Sequence, residues 1–196
     1  MAHAANIFTQ LLIQLIGLAT SFFATLFVLR FVLQWARAPF RNPIGRFVIT
    51  LTDWGVVPLR RVVPGFRGHD LASLVMAWLV ESVSLLLMLT ILGAPLIEGG
   101  NLIPLACAAG FIEMLRTLAY VILGATIGLV VLSWVNPYAP MAPVFEAVAR
   151  PFLQPFQRLV PPIGGIDLSP LFLLLILQLV LGLLAALKSG ILGISL

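Results

Sequence analysis

The chain of 196 residues is 61% hydrophobic and 9% charged, with a formal net charge of +4 and a mean hydropathy of +1.14. A soluble domain carries about 25% charged and about 45–50% apolar residues, so this chain has too little charge to cover a water-exposed globule, and its natural solvent is lipid. The basic balance does not indicate nucleic acid, because the eleven Lys and Arg residues form no run of five and lie mostly between apolar stretches, where charge sets topology or meets lipid headgroups.

A helix needs roughly 20 apolar residues to cross a bilayer core about 30 Å thick, and four stretches qualify. The first runs from about Ile7 to Trp35. No Lys or Arg precedes Arg30, and the stretch exceeds the roughly 7–15 residues of a signal h-region, so it is expected to remain as a transmembrane helix. Arg30, about five residues from the loop end, has the reach to snorkel or to turn inward. In the loop 37–70, Ile44, Phe47, Val48 and Leu51 share one helical face, apart from Arg46, Thr50 and Asp53; such a helix lies flat at the interface or packs on the bundle.

The second span runs from Leu71 to about Leu96 and carries Glu81 about ten residues inside, roughly 15 Å deep. The third ends near Val135. Glu113 and Arg116, spaced i,i+3, can pair on one helix face. The favoured reading starts the span at Thr117, with the pair at the membrane interface and Leu102 to Ile112 as an interfacial or re-entrant lead-in; the alternative is one long tilted helix. The loop 136–167 carries a second amphipathic stripe, Val144, Phe145, Val148 and Phe152, with Glu146 and Arg150 as an i,i+4 pair. The fourth span runs from Leu168 to about Leu187, with Gln178 inside it.

Sliding the chain by 97 positions places Pro58 on Pro155, Arg61 on Arg158, Pro64 on Pro161, Gly68 on Gly165, Asp70 on Asp167 and Glu81 on Gln178. A gap of two residues upstream also places Trp35 on Trp134. Identical spacing in both copies signals a duplication, with units at 1–98 and 99–196. The expected fold is therefore an all-α membrane protein of about four spans, built as two parallel helix–interfacial loop–helix repeats. Both long loops then share one side. Arg37, Arg41, Arg46, Arg60, Arg61, Arg67, Arg150 and Arg158 make that side cytoplasmic by the positive-inside rule, with Lys188 opposing weakly.

These motifs resemble the YggT family of small bacterial membrane proteins, with relatives in chloroplasts. The fuller match is the second copy, Arg150-Pro151 through Pro155, Arg158 and Pro161 to Gly164-Gly165-Ile166-Asp167-Leu168-Ser169-Pro170. The first copy departs at Asp53-Trp54 and Ala72-Ser73. The resemblance implies a bacterial inner-membrane protein acting in envelope organisation, division, osmotic adaptation or membrane-complex assembly, with no reaction attached.

Three readings of Asp70 and Asp167 are open: helix N-caps, partners of Arg61 and Arg158, or binding groups. Gly68 and Gly165 suit turns, and Pro58, Pro64, Pro155 and Pro161 stop helices and stiffen the crossing into the next span. Glu81 and Gln178 should face the bundle interior, either hydrogen-bonded between helices or lining a proton or cation path. Glu81 is either paired with Arg30 or held protonated. Cys107 is the sole cysteine, His3 and His69 lie far apart, and no catalytic or metal-ligand constellation is visible, so no enzyme, metal or cofactor is expected. The favoured function is a non-enzymatic scaffold or assembly factor meeting lipid and a membrane-protein partner or another copy. The alternative is an ion conductor or transporter in osmotic homeostasis, with Glu81 and Gln178 in its path.

Overall fold

The computed structural model describes residues 2–39, 42–65, 70–92, 102–159 and 167–193. Among them the regular structure is entirely helical: α1 (Ala2–Trp35), α2 (Pro43–Leu59), α3 (Leu71–Ile91), α4 (Leu102–Val135), α5 (Ala142–Leu159) and α6 (Ser169–Leu192). Four are long and apolar enough to cross a membrane: α3, α4, α6 and the part of α1 from Ile7 to Trp35. Helix ends rest on local signals. Asn42 caps α2 by accepting from the Gly45 N–H at 2.7 Å, with Pro43 in the first turn. At the end of α6, Gly193 takes the left-handed conformation (φ 66°) and closes the helix.

Helices α1, α3 and α4 pack on one another, while α6 touches only α4 and α5 among the described residues. Helix α3 runs back along α1: Met88 lies against Gly17, Ser84 bonds Thr20 at 3.0 Å, and Asp70 reaches Arg30. In lipid there is little hydrophobic gain between helices, so close contact of small residues and interhelical hydrogen bonds hold the bundle. Gly110 of α4 shows this. A Cβ there would stand 2.7 Å from the backbone N and Cα of Ser82. Nearby, Trp78 Nε1 donates to the Cys107 carbonyl at 2.9 Å.

Helix α4 is continuous from Leu102 to Val135, which corrects the start at Thr117. Leu102, Ala106, Ala109, Gly110 and Ile112 are all buried, so the supposed lead-in packs as helix, and Glu113 and Arg116 lie along its length. The prolines also behave differently from expectation. Helix α2 runs through Pro58, and α5 runs through Pro151 and Pro155 to Leu159. All three are exposed. Pro64 lies outside any helix and is exposed; Pro161, Gly68 and Gly165 lie outside the described residues.

The two amphipathic helices dock on the bundle at one end, where the Trp35 ring meets Phe152 at 5.5 Å between centroids. Helix α2 buries Gly45, Val48, Thr52, Gly55 and Val56, a face rotated from the expected one so that Phe47 points out. Two glycines and a threonine make that face flat enough to pack, and Phe27 and Met76 fill the space over Gly55. Helix α5 buries Val144, Val148, Ala149 and Leu153, with Phe145 and Phe152 half-buried. Glu146 and Arg150 are both exposed and no ion pair joins them.

Candidate functional site

Two clusters of charge lie within the bundle. The first gathers at the loop end of the first repeat. Arg30, 4% exposed on α1, donates from Nη1 to Thr52 Oγ1 at 2.7 Å and Asp53 Oδ1 at 2.8 Å. Its Nε stands 3.5 Å from Asp70 Oδ2, an ion-pair contact without a hydrogen bond. Asp70, 5% exposed, accepts from Arg60 Nε at 3.1 Å and Nη2 at 2.6 Å, and from Ser73 Oγ at 2.7 Å. A buried cation is tolerable only when paired and hydrogen-bonded, and two carboxylates and one hydroxyl meet that need for Arg30. Burial pushes the Asp70 carboxyl up, but the bonds from Arg60 and Ser73 and the charges of Arg60 and Arg30 prevail and hold it below the usual carboxylate range. The same bond to Asp70 raises Arg60.

This arrangement answers three of the sequence questions. Asp70 makes no side-chain cap of α3; its oxygens are committed to Arg60 and Ser73. The pairing arginine is Arg60, while Arg61 is exposed. And Arg30 is paired with Asp53 and Asp70, not with Glu81.

The second repeat repeats the geometry with different chemistry. Gln157 Nε2 donates to Asp167 Oδ2 at 3.0 Å across the same ten-residue interval as Arg60 to Asp70. Asp167 Oδ1 also accepts from the Ser169 N–H at 2.8 Å, so here the carboxylate does serve the helix start. Burial raises its carboxyl, but hydrogen bonds from Ser169 and Gln157 outweigh this and lower it. Arg158 is exposed and does not pair with it. Between α4, α5 and α6 lies a cavity of about 610 Å³, walled by Leu129, Leu153 and Leu174, with Ser133, Gln157 and Asp167 as its polar groups.

The second cluster joins α3, α4 and α6. Glu113 accepts from Arg116 Nη1 at 2.9 Å and from Lys188 Nζ at 2.7 Å, so the i,i+3 pair exists and gains a cation from a helix 75 residues away. Arg116 also lies over the Tyr120 ring, 6.0 Å from its centroid. One turn along α4 from Glu113, Thr117 Oγ1 donates to Glu81 Oε1 at 3.5 Å, and Glu81 is 5% exposed. Glu81 thus faces the interior as expected. Gln178 does not; it is exposed on α6, because α6 has no neighbour on the side where α3 has α4.

Arg60, Thr52, Asp53, Ser73, Gln157 and Lys188 were given no site role from the sequence alone. Arg60 and Gln157 were hidden because they differ between the copies. The departure at Asp53 was the available signal, since neither charge is kept in the second repeat: Leu129 stands in place of Arg30, and Arg150 in place of Asp53.

Two copies of a helix–interface helix–helix unit, with amphipathic helices docked at one end, define a multi-pass helical membrane protein of tandem-repeat construction. The chain belongs to the CCB3/YggT family, whose model matches residues 9–91 and 108–188. It is 39% identical over 162 residues to an uncharacterized protein of Pseudomonas aeruginosa, covering 82% of this chain and 81% of that one. It is 31% identical over 167 residues to the uncharacterized protein YggT of Escherichia coli K12, covering 85% of each. An uncharacterized protein of Vibrio alginolyticus is 30% identical over 154 residues, 77% of this chain and 80% of that one. No solved structure matches the chain.

Proposed function

We propose that this chain is a non-enzymatic scaffold or assembly factor of the bacterial inner membrane, holding a membrane-protein partner at its cytoplasmic loop side. The observation that carries this reading is the outward face of the interfacial helices. With one face of α2 docked, Phe47 and Trp54 stand 53% and 60% exposed, beside the exposed Arg46. An aromatic pair flanked by arginine suits both lipid headgroups and a protein surface. The charged groups of the bundle, by contrast, are engaged in ties between helices. A photocrosslinking residue in place of Trp54 tests the reading in native membranes. A discrete protein adduct, lost in Phe47→Glu, supports it; adducts with lipid alone overturn it. Cytoplasmic placement of the loops is tested separately. Cysteines replacing Arg46 and Gln157 should resist an impermeant thiol reagent in intact cells, and labelling of both from outside would reverse the orientation.

The second reading, ion conduction, draws on one observation: Glu81 is a buried mid-helix carboxyl with Thr117, Glu113, Arg116 and Lys188 in succession beside it. Intramembrane acids often mark ion paths. Liposome flux abolished by Glu81→Gln would favour this reading over the scaffold.

A further inference from the structure

Trp35 matches Trp134 at an offset of 99, which places α1 on α4, and the shared motif from Pro58 and Pro155 to Asp70 and Asp167 places the remainder of each repeat at 97. On this register Leu129 takes the place of Arg30, Ser133 of Gln34, Leu153 of Val56, Gln157 of Arg60 and Asp167 of Asp70. Each of these five residues of the second repeat lines the 610 Å³ cavity.

The two repeats thus differ in one respect at this place. In the first, the Arg30 side chain occupies the wedge between the three helices and brings a guanidinium to within 3.5 Å of Asp70. In the second, Leu129 is shorter and uncharged, the wedge is open, and Asp167 has no ion pair. The first repeat shows what chemistry fits the place: a cation on an apolar stem, threaded between helices and ending at the carboxylate.

We propose that the cavity of the second repeat binds a membrane lipid with a primary-ammonium (aminoethyl) headgroup, its ammonium at Asp167 in the position that the Arg30 guanidinium takes in the first repeat. A volume of this size suits a ligand segment as large as a lipid headgroup with the start of its chains. Charge complementarity selects the head, since Asp167 is a carboxylate without a cation and Gln157 and Ser133 offer an amide and a hydroxyl beside it. The walls select a lipid over a soluble amine. Leu129, Leu171 and Leu174 belong to transmembrane helices, where the surroundings are hydrocarbon. Trp134, 80% exposed at the rim, is the residue type that settles at the headgroup level. This inference does not depend on the scaffold reading.

Native mass spectrometry of the full chain, released from detergent with dioleoyl-phosphatidylethanolamine or dioleoyl-phosphatidylglycerol, tests it. The ethanolamine lipid should be retained preferentially, and Asp167→Asn should weaken it about tenfold, the loss of one charge-assisted contact. Leu129→Arg should abolish retention by placing a guanidinium in the cavity, and should raise the melting temperature. Leu129→Trp, which narrows the cavity beside Asp167 without adding charge, gives the same test if the arginine variant fails to fold. Glu146→Gln, an exposed carboxylate outside the cavity, should change nothing. Equal retention of the two lipids overturns the proposal, as does undiminished binding in folded Leu129→Trp. Retention restricted to a co-purified protein that inserts a basic side chain, with no lipid preference, overturns it also.

Discussion

Arg60 grips Asp70 through both arms of its guanidinium, at 3.1 and 2.6 Å, while Asp70 in turn lies 3.5 Å from the buried Arg30. One carboxylate therefore answers two cations, one on α1 and one just past the end of α2. Its removal leaves Asp53, whose side chain is 46% exposed, as the one carboxylate on Arg30. A broken buried pair costs about 3–5 kcal/mol, and the partial exposure of Arg60 and Asp53 moderates this to about 2–3 kcal/mol. Asp70→Asn and Asp70→Ala should destabilise alike in thermal unfolding in detergent, because charge is used and not capping. Asp167→Asn should cost less than about 1 kcal/mol, since Asn still accepts from a helix N–H. Full tolerance of Asp70→Asn would refute the ion-pair account.

The same group sets a pH dependence. Asp70 is lowered in the folded protein, so its contribution to stability is present above the unfolded carboxylate value of about 3.9 and is lost as pH falls through the folded value. Arg60 is raised, and its contribution is already complete throughout the neutral and acid range. The melting temperature should fall as the pH drops below about 5 and on through the lowered folded value, with a shallower fall in Asp70→Asn. Parallel profiles for the two proteins would assign the acid sensitivity to other carboxylates.

Arg30 and Glu81 test how much of this was legible. Both stood out in the sequence as charges within apolar stretches, and both are buried. Their partners were not legible, because α2 brings Thr52 and Asp53 to Arg30 through a tertiary approach that no periodicity encodes. Hydropathy alone marked the four long helices, since each must satisfy its own backbone in lipid. The start of α4 was missed because two charges seemed to require an interface, whereas the helix continues unbroken through them and Glu113 gains a third charge from Lys188 of α6. The face of α2 was misjudged because Thr52 and the glycines pack better than Phe47 there. A double-mutant cycle of Arg30→Gln and Glu81→Gln should show coupling below about 0.5 kcal/mol, as for independent sites. Strong coupling would mean that the two side chains meet.

Gly110 sets the approach of α4 to α3, because Ser82 leaves no room for a Cβ. The obstacle includes the Ser82 backbone as well as its hydroxyl, so turning the side chain away does not clear it and α3 and α4 must separate. Gly110→Ala should destabilise by about 1–3 kcal/mol, the usual cost of overpacking, and Gly110→Leu by more. The Trp78 to Cys107 bond should loosen with it, visible as a shift in tryptophan emission. By contrast Gly124 and Gly182, with open space beyond them, should accept Ala with little change. Equal tolerance at all three positions would remove the close crossing.

Glu113 and Lys188 tie α6 to α4, and α6 has few other neighbours. Removing Lys188 leaves Glu113 with Arg116, whose Nε is already buried without a partner. Removing Glu113 leaves two cations facing each other, which is worse. Glu113→Gln should therefore destabilise more than Lys188→Met, and the double variant should recover part of the loss. The expected coupling is about 1–3 kcal/mol, the range for residues in one charge network. A structural tie also predicts that a disulfide between α4 and α6, engineered one turn away, rescues Lys188→Met without restoring the charge. Melting temperatures of the four members of the cycle, with and without that disulfide, separate the two roles. Rescue identifies a tether; failure of a well-formed disulfide to rescue would show that the ammonium itself is required.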